Sequence, residues 1–130
     1  MLNGERILIV EDEVLIGISL EGWVRDAGND AVVLATTVQE ALLALEVIET
    51  TLAVLDVNLG GETSLAVARK LSGDGIPFVY HTSRSPADLS CWPEAPIVGK
   101  PDCSNELVAS LEALALRSDQ LQCNHGPRLH

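Results

Sequence analysis

Basic residues are what this chain has least of: 8 Lys and Arg stand against 19 Asp and Glu, a formal charge of −11 over 130 residues. That balance repels phosphate backbones and anionic membranes, so nucleic-acid binding and membrane attachment are not expected. It favours a cation or a basic partner. Cysteine is scarce as well. Cys91, Cys103 and Cys123 are odd in number and follow no metal-ligand spacing, so reduced thiols are expected. No apolar run approaches the roughly 18 residues that a membrane span needs, and no secretory signal opens the sequence. A cytoplasmic location follows as an expectation. What is abundant is apolar material, 47% of the residues, enough for one folded domain with a core and too little chain for two.

The stretch around which the chain is organised is Thr51-Leu-Ala-Val-Leu-Asp-Val-Asn-Leu-Gly-Gly61. Its apolar run, Leu52 to Leu55, reads as a strand buried on both faces, as in a parallel sheet. Asp56 then stands at the strand's carboxyl end, where open α/β sheets collect ligands. A turn or capping role would account for a single such Asp. The rest of the chain supplies company for it. Arg6 to Val10 predicts a first strand running straight into Glu11-Asp12-Glu13. A helix from about Val14 to Ala27 follows, closed by Gly28, a favourable residue just past a helix end. Its apolar residues cover more than one stripe, so it is either deeply buried or partly covered by a partner. Trp23 reads as core; Ile18 fits that reading less well.

Ala31 to Leu34 predicts a second strand, and Thr36 or Thr37 then caps a helix to about Ile48, with Glu40 completing a capping box. After the Asp56 strand and the Gly60-Gly61 turn, Thr63 or Ser64 opens a helix to about Leu71. Pro77 to Tyr80 forms a fourth strand leading into His81-Thr82-Ser83. Ser85-Pro-Ala-Asp88 starts a fourth helix that Pro93 and Pro96 hold to about two turns or fewer. Ile97-Val98 is a fifth strand ending in Gly99-Lys100-Pro101, and a last helix spans about Ser104 to Leu116. Residues 118–130 lack periodicity and read as a polar tail behind a single domain over 1–117. Five strands alternating with five helical segments predict an α/β fold with a parallel sheet and right-handed crossovers.

Four strand ends would then carry polar residues to one edge: Glu11 and Asp12, Asp56, Thr82, and Lys100. Three gathered carboxylates repel unless a cation joins them, and hard oxygen donors suit Mg²⁺ better than zinc. A lysine ammonium and a threonine hydroxyl facing the same point suit an oxyanion arriving on the carboxylate. That is a layout for phosphoryl transfer to Asp56.

Ile-Leu-Ile-Val-Glu-Asp-Glu, Val-Leu-Asp-Val-Asn-Leu, the Thr82 strand end and Gly99-Lys100-Pro101 together resemble the receiver domain of two-component response regulators over about residues 5–117. The resemblance implies a flavodoxin-like, doubly wound (βα)5 fold with strand order 2-1-3-4-5. It implies that Asp56 is the phosphoacceptor and that Glu11, Asp12, Asp56 and the Asn58 carbonyl hold Mg²⁺. Thr82 and Lys100 would each bond a phosphoryl oxygen, and Glu13 would cap the first helix. Asn58 and Arg84 fall at positions that tune phosphate loss in the family; a double swap that left the dephosphorylation rate unchanged would sink that role here. The implied donor is a sensor histidine kinase or phosphotransfer protein, with an unidentified protein downstream. Such a domain is a signalling phosphoacceptor, assisting only its own phosphorylation and dephosphorylation.

The sequence departs from the family in three places. Gly60 stands where Pro is usual, so that Asp-Val-Asn-Leu-Gly-Gly resembles an atypical, stand-alone subgroup. Ile97 replaces the aromatic that usually switches, and Asp102 replaces a second common aromatic. The phosphorylation chemistry is therefore expected intact and the output mechanism unusual. A receiver-like module that binds constitutively, without phosphorylation, is the alternative. A nucleotide binder is disfavoured because acids replace the Gly-rich fingerprint after the first strand. Cys123, His125 and His130 are read as tail residues rather than a metal site, Cys91-Trp92 as a packing pair, and His81 as an ordinary strand-end residue. The apolar excess of the first helix, beside the Leu-rich last helix, points to a partner or homodimer surface.

Overall fold

The computed structural model describes residues 2–82, 89–99 and 104–124. Seven strands and four helices are described: β1 (Ile7–Val10), α1 (Val14–Asp26), β2 (Val32–Ala35), α2 (Val38–Val47), β3 (Leu52–Leu55), β4 (Asn58–Leu59), β5 (Glu62–Thr63), α3 (Leu65–Gly73), β6 (Phe78–Thr82), β7 (Ile97–Gly99) and α4 (Ser104–Asn124). The main sheet has the order β2-β1-β3-β6-β7, every pairing parallel. Counted among its own five strands, that is the expected 2-1-3-4-5.

Continuous apolar strands work here because helices cover both faces of the sheet. Leu8, Val10, Ala53 and Leu55 point to one side, with Ala41 of α2 and Val67, Ala68 and Leu71 of α3. Ile7, Ile9, Leu52 and Val54 point to the other, with Leu20 and Val24 of α1 and Leu107, Leu111 and Ala115 of α4. Each fully buried aliphatic side chain contributes about 1.5–3 kcal/mol by leaving water. Two apolar layers therefore hold the carboxyl edge of the sheet in place. Among the described residues no helix is long and apolar enough to cross a membrane.

Several local details differ from expectation. β2 begins one residue later than the sequence reading, at Val32. The capping box of α2 is split. Thr37 accepts from the Glu40 N–H at 3.0 Å, whereas the Glu40 carboxylate reaches past Thr37 to the N–H of Thr36 at 2.8 Å. That backbone bond, and then the Thr36 hydroxyl, hold the Glu40 carboxyl below its ordinary value. Glu13 occupies the residue before α1 but its side chain makes no capping bond. Its own N–H donates to Glu11 Oε2 at 3.3 Å instead.

The segment after Asp56 is a small antiparallel hairpin, with Asn58 opposite Thr63 and Leu59 opposite Glu62. Gly60 and Gly61, at φ +57° and +98°, form its two-residue turn. Two successive positive φ values are what a tight hairpin with the right twist requires, and glycine adopts them without strain. Proline, fixed near φ −65°, has no place at Gly60. Finally, α4 continues to Asn124, past the expected end near Leu116. No Gly or Pro interrupts the chain before Gly126-Pro127, so loss of apolar periodicity alone did not stop the helix. The expected fourth helix start, Ser85 to Asp88, lies outside the described residues.

Candidate functional site

The site is built where β1 and β3 end side by side. Their register places Val10 opposite Leu55, so the next residues, Glu11 and Asp56, emerge together. Backbone bonds fix both exits: the Asp56 N–H donates to the Val10 carbonyl at 2.9 Å, and the Glu11 N–H to the Ala35 carbonyl at 3.0 Å. Asp12 follows in the turn into α1. One carboxylate oxygen each of Glu11, Asp12 and Asp56 lies within 4.8 Å of the others. Glu11 and Asp56 are buried, at 0% and 6% exposure, while Asp12 is half-buried.

Burying carboxylates this close is costly unless positive charge joins them. The donor set is all hard oxygen, with no sulfur or imidazole in the cluster, and one member opens to solvent. A hard divalent cation that keeps part of its water shell fits such a set; zinc, which favours nitrogen and sulfur, fits poorly. The hairpin forms a wall of this site. A Cβ on Gly60 would stand 3.6 Å from Asp12 Oδ2, which is ordinary contact distance.

The exit of β3 is braced from below by a residue that sequence reading took for a helix cap. The Ser64 side chain makes no cap bond to α3. Its hydroxyl donates to the Asp56 carbonyl at 2.5 Å and lies 3.2 Å from that of Val57, while its N–H donates to Val57 at 2.9 Å. The chain from Asp56 to Ser64 is thereby closed on itself, with Asn58 exposed on the hairpin.

Thr82 ends β6, the neighbour of β3, and is buried at 2%. His81, read from sequence as a strand-end residue, is a buried member of β6. Lys100 and Arg84 lie outside the described residues, as do Asp102, Cys103, His125 and His130. The structure thus brings Glu11, Asp12 and Asp56 together and sets Asn58 and Thr82 on the adjoining elements. Of the Cys91-Trp92 pair only Trp92 packs; Cys91 is exposed.

No family model matches the chain, and no curated protein does. Solved structures do. The chain is similar to SdrG from Sphingomonas melonis Fr1, with 38% identity, 85% of this chain and 96% of that one covered, and a TM-score of 0.73. It is similar to the receiver domain of the response regulator PhyR from Erythrobacter litoralis, at 26% identity, with 88% and 92% covered and a TM-score of 0.78. The signal receiver domain of a Luxo repressor protein from Vibrio parahaemolyticus shares the fold at 20% identity, with 95% and 98% covered and a TM-score of 0.82.

Proposed function

Because the chain belongs to the response-regulator receiver domains, signalling modules rather than classical enzymes, we propose that it accepts a phosphoryl group on Asp56 and passes on or drains that signal. The donor is a sensor histidine kinase or phosphotransfer protein. The observation that carries this reading is the convergence of Glu11, Asp12 and Asp56 within 4.8 Å at the carboxyl edge of the sheet. A cluster of that kind suits the holding of a cation at a nucleophilic carboxylate, which supports this reading over a module that only makes contacts.

Glu11, Asp12, Asp56 and the Asn58 carbonyl would hold Mg²⁺, which supplies positive charge against the phosphoryl oxygens and orients them. An Asp56 oxygen attacks phosphorus in line. The new P–O bond forms as the P–N bond to the donor imidazole breaks, and the leaving imidazole takes up a proton. Asp56 needs no general base, being used as its carboxylate. Position is its contribution, and the β3 exit bonds and Ser64 provide it. The Thr82 hydroxyl donates to one phosphoryl oxygen, and Lys100 neutralises another. The phosphoryl group adds about −1.5 to −2 charges to the edge, enough to bias an element with two arrangements.

Signalling then runs through protein contacts in the cytoplasm. Val14, Leu15 and Ile18 of α1 are 53%, 81% and 55% exposed, as is Leu116 of α4 at 60%. Apolar residues left uncovered on adjacent helices support a partner surface there, including a homodimer through α1 and α4. Sedimentation as a monomer at all concentrations, phosphorylated or not, would remove the homodimer. The test of the main reading is intact mass after acetyl phosphate, with and without Mg²⁺. A Mg²⁺-dependent gain of one phosphoryl group, absent in Asp56→Asn, is expected. No gain from acetyl phosphate or from a kinase would instead leave the constitutive binding module.

A further inference from the structure

Residues 58–63 fold as one hairpin, β4 and β5 around the Gly60-Gly61 turn, and Ser64 is the residue directly after it. Antiparallel strands alternate between pairs that exchange backbone hydrogen bonds and pairs that do not. The Ser64 N–H donates to the Val57 carbonyl at 2.9 Å, so Val57 and Ser64 are a bonded pair. Asn58 and Thr63, the next pair along, are therefore of the unbonded kind. In such a pair the two backbone carbonyls point away from each other, out of the hairpin. The Asn58 carbonyl thus stands on the outer edge of β4, two residues beyond Asp56. The turn itself lies against the carboxylate cluster, since a Cβ on Gly60 would stand 3.6 Å from Asp12 Oδ2.

That register depends on where Ser64 is held. The residue is fully buried, and its side chain does not cap α3. Its hydroxyl donates to the Asp56 carbonyl at 2.5 Å and lies 3.2 Å from that of Val57. Its own carbonyl accepts from the Ala68 N–H at 3.0 Å, which ties it to the first turn of α3. That helix is fixed in turn by Val67, Ala68 and Leu71 in the core. Val57 and Leu59 are buried as well, whereas Asn58 and the residues from Gly60 to Thr63 are exposed. The hairpin is therefore gripped at its base, where Ser64 joins it to a helix that cannot shift.

We infer that Ser64 is a positioning residue for the cation: by fixing the register of the hairpin it aims the Asn58 carbonyl, and so sets how tightly the acidic edge holds Mg²⁺. The inference rests on the cation reading above. A slip of one residue would make Asn58 a member of a bonded pair and turn its carbonyl into the hairpin. Without the hydroxyl, the Ser64 N–H still reaches Val57, but Ser64 no longer holds the Asp56 carbonyl. The two peptide units that lead to Asn58 then gain freedom. A carbonyl already in place binds a cation better than one that has to be ordered on binding. For the same reason, groups that only orient a metal's ligands still govern its affinity. Ser64 acts on the cation through Asn58 and touches neither the metal nor the phosphoryl group.

Mg²⁺ binding is measured by isothermal titration calorimetry, with no phosphoryl donor present, on the wild type, Ser64→Ala and Val24→Ala. Ser64→Ala is expected to bind Mg²⁺ about 10- to 100-fold more weakly. Val24→Ala truncates the core on the opposite face of the sheet and controls for lost stability; it should bind as the wild type does. Undiminished affinity in Ser64→Ala overturns the inference, and so does equal weakening in Val24→Ala. A wild type that takes up no Mg²⁺ removes the cation reading and the inference with it, a failure distinct from the other two. Should Ser64→Ala not fold, hydrogen exchange on the wild type serves instead. Mg²⁺ should then add more protection at the Ser64 amide, which donates to Val57, than at the Ile48 amide, which donates to Ala44 at the end of α2. A gain no larger at Ser64 than at Ile48 overturns the inference.

Discussion

The two halves of the sheet are built on opposite plans. On the β1–β3 side, two carboxylates, Glu11 and Asp56, directly follow strands and the third, Asp12, is next in the chain, and neighbouring backbone bonds fix the strand exits. On the β6–β7 side, the key assembly joins Tyr80 to Trp92, Pro93 and Pro96, residues 12 to 16 positions onward with no regular structure between Trp92 and β7. The first half concentrates charge in a fixed frame. The second concentrates aromatic contact between β6 and the segment that leads into β7, where Leu89, Trp92 and Ala95 also pack on the core. The two assemblies sit on adjacent strands, β3 and β6.

The contrast can be sharpened first on the aromatic side. With one tyrosine in the chain, an alkaline spectrophotometric titration reads Tyr80 alone. Its phenol should ionise near 12 rather than 10.0, about a hundredfold weaker as an acid, because burial disfavours the phenolate. A folded-state value above the unfolded one gives a contribution fully present below pH 10 and lost as the pH rises through about 12. Tyr80→Phe should remove that alkaline fall. Ionisation near 10.0 in the folded protein would mean that the segment leading into β7 does not cover the ring.

A smaller effect tests the rigid side. Ser64→Ala removes a buried donor and leaves the Asp56 carbonyl without it, a change of about 1–3 kcal/mol in unfolding free energy by urea titration. Phosphoryl uptake should slow as the β3 exit loosens. Wild-type stability in Ser64→Ala would show that the frame around Asp56 is held by the strand pairing alone.

The uneven legibility of the two halves has the same origin as their construction. Asp56, Glu11 and Asp12 were readable because each follows an apolar run, and a parallel sheet brings such ends to one edge. The hairpin was signalled by Gly60-Gly61, yet two-residue strands are too short to show alternation. Ser64 looked like a helix cap because capping is the commoner use of a serine before a helix; only the folded chain shows its hydroxyl turned to the Asp56 carbonyl. Tyr80 left no trace, since nothing in Phe-Val-Tyr says that its hydroxyl will meet a proline carbonyl further along. Ile97, noted for the aromatic it replaces, pairs across the sheet with Tyr80. The aromatic bulk of this region therefore stands on β6, where sequence comparison at Ile97 alone would not seek it.

The central claim, that the acidic edge exists to phosphorylate Asp56, is tested most directly by intact mass. Wild type and Asp56→Asn are treated with acetyl phosphate in the presence and absence of Mg²⁺. One phosphoryl group on the wild type, only with Mg²⁺, and none on Asp56→Asn is the predicted result. Equal labelling of Asp56→Asn, or labelling indifferent to Mg²⁺, would contradict it.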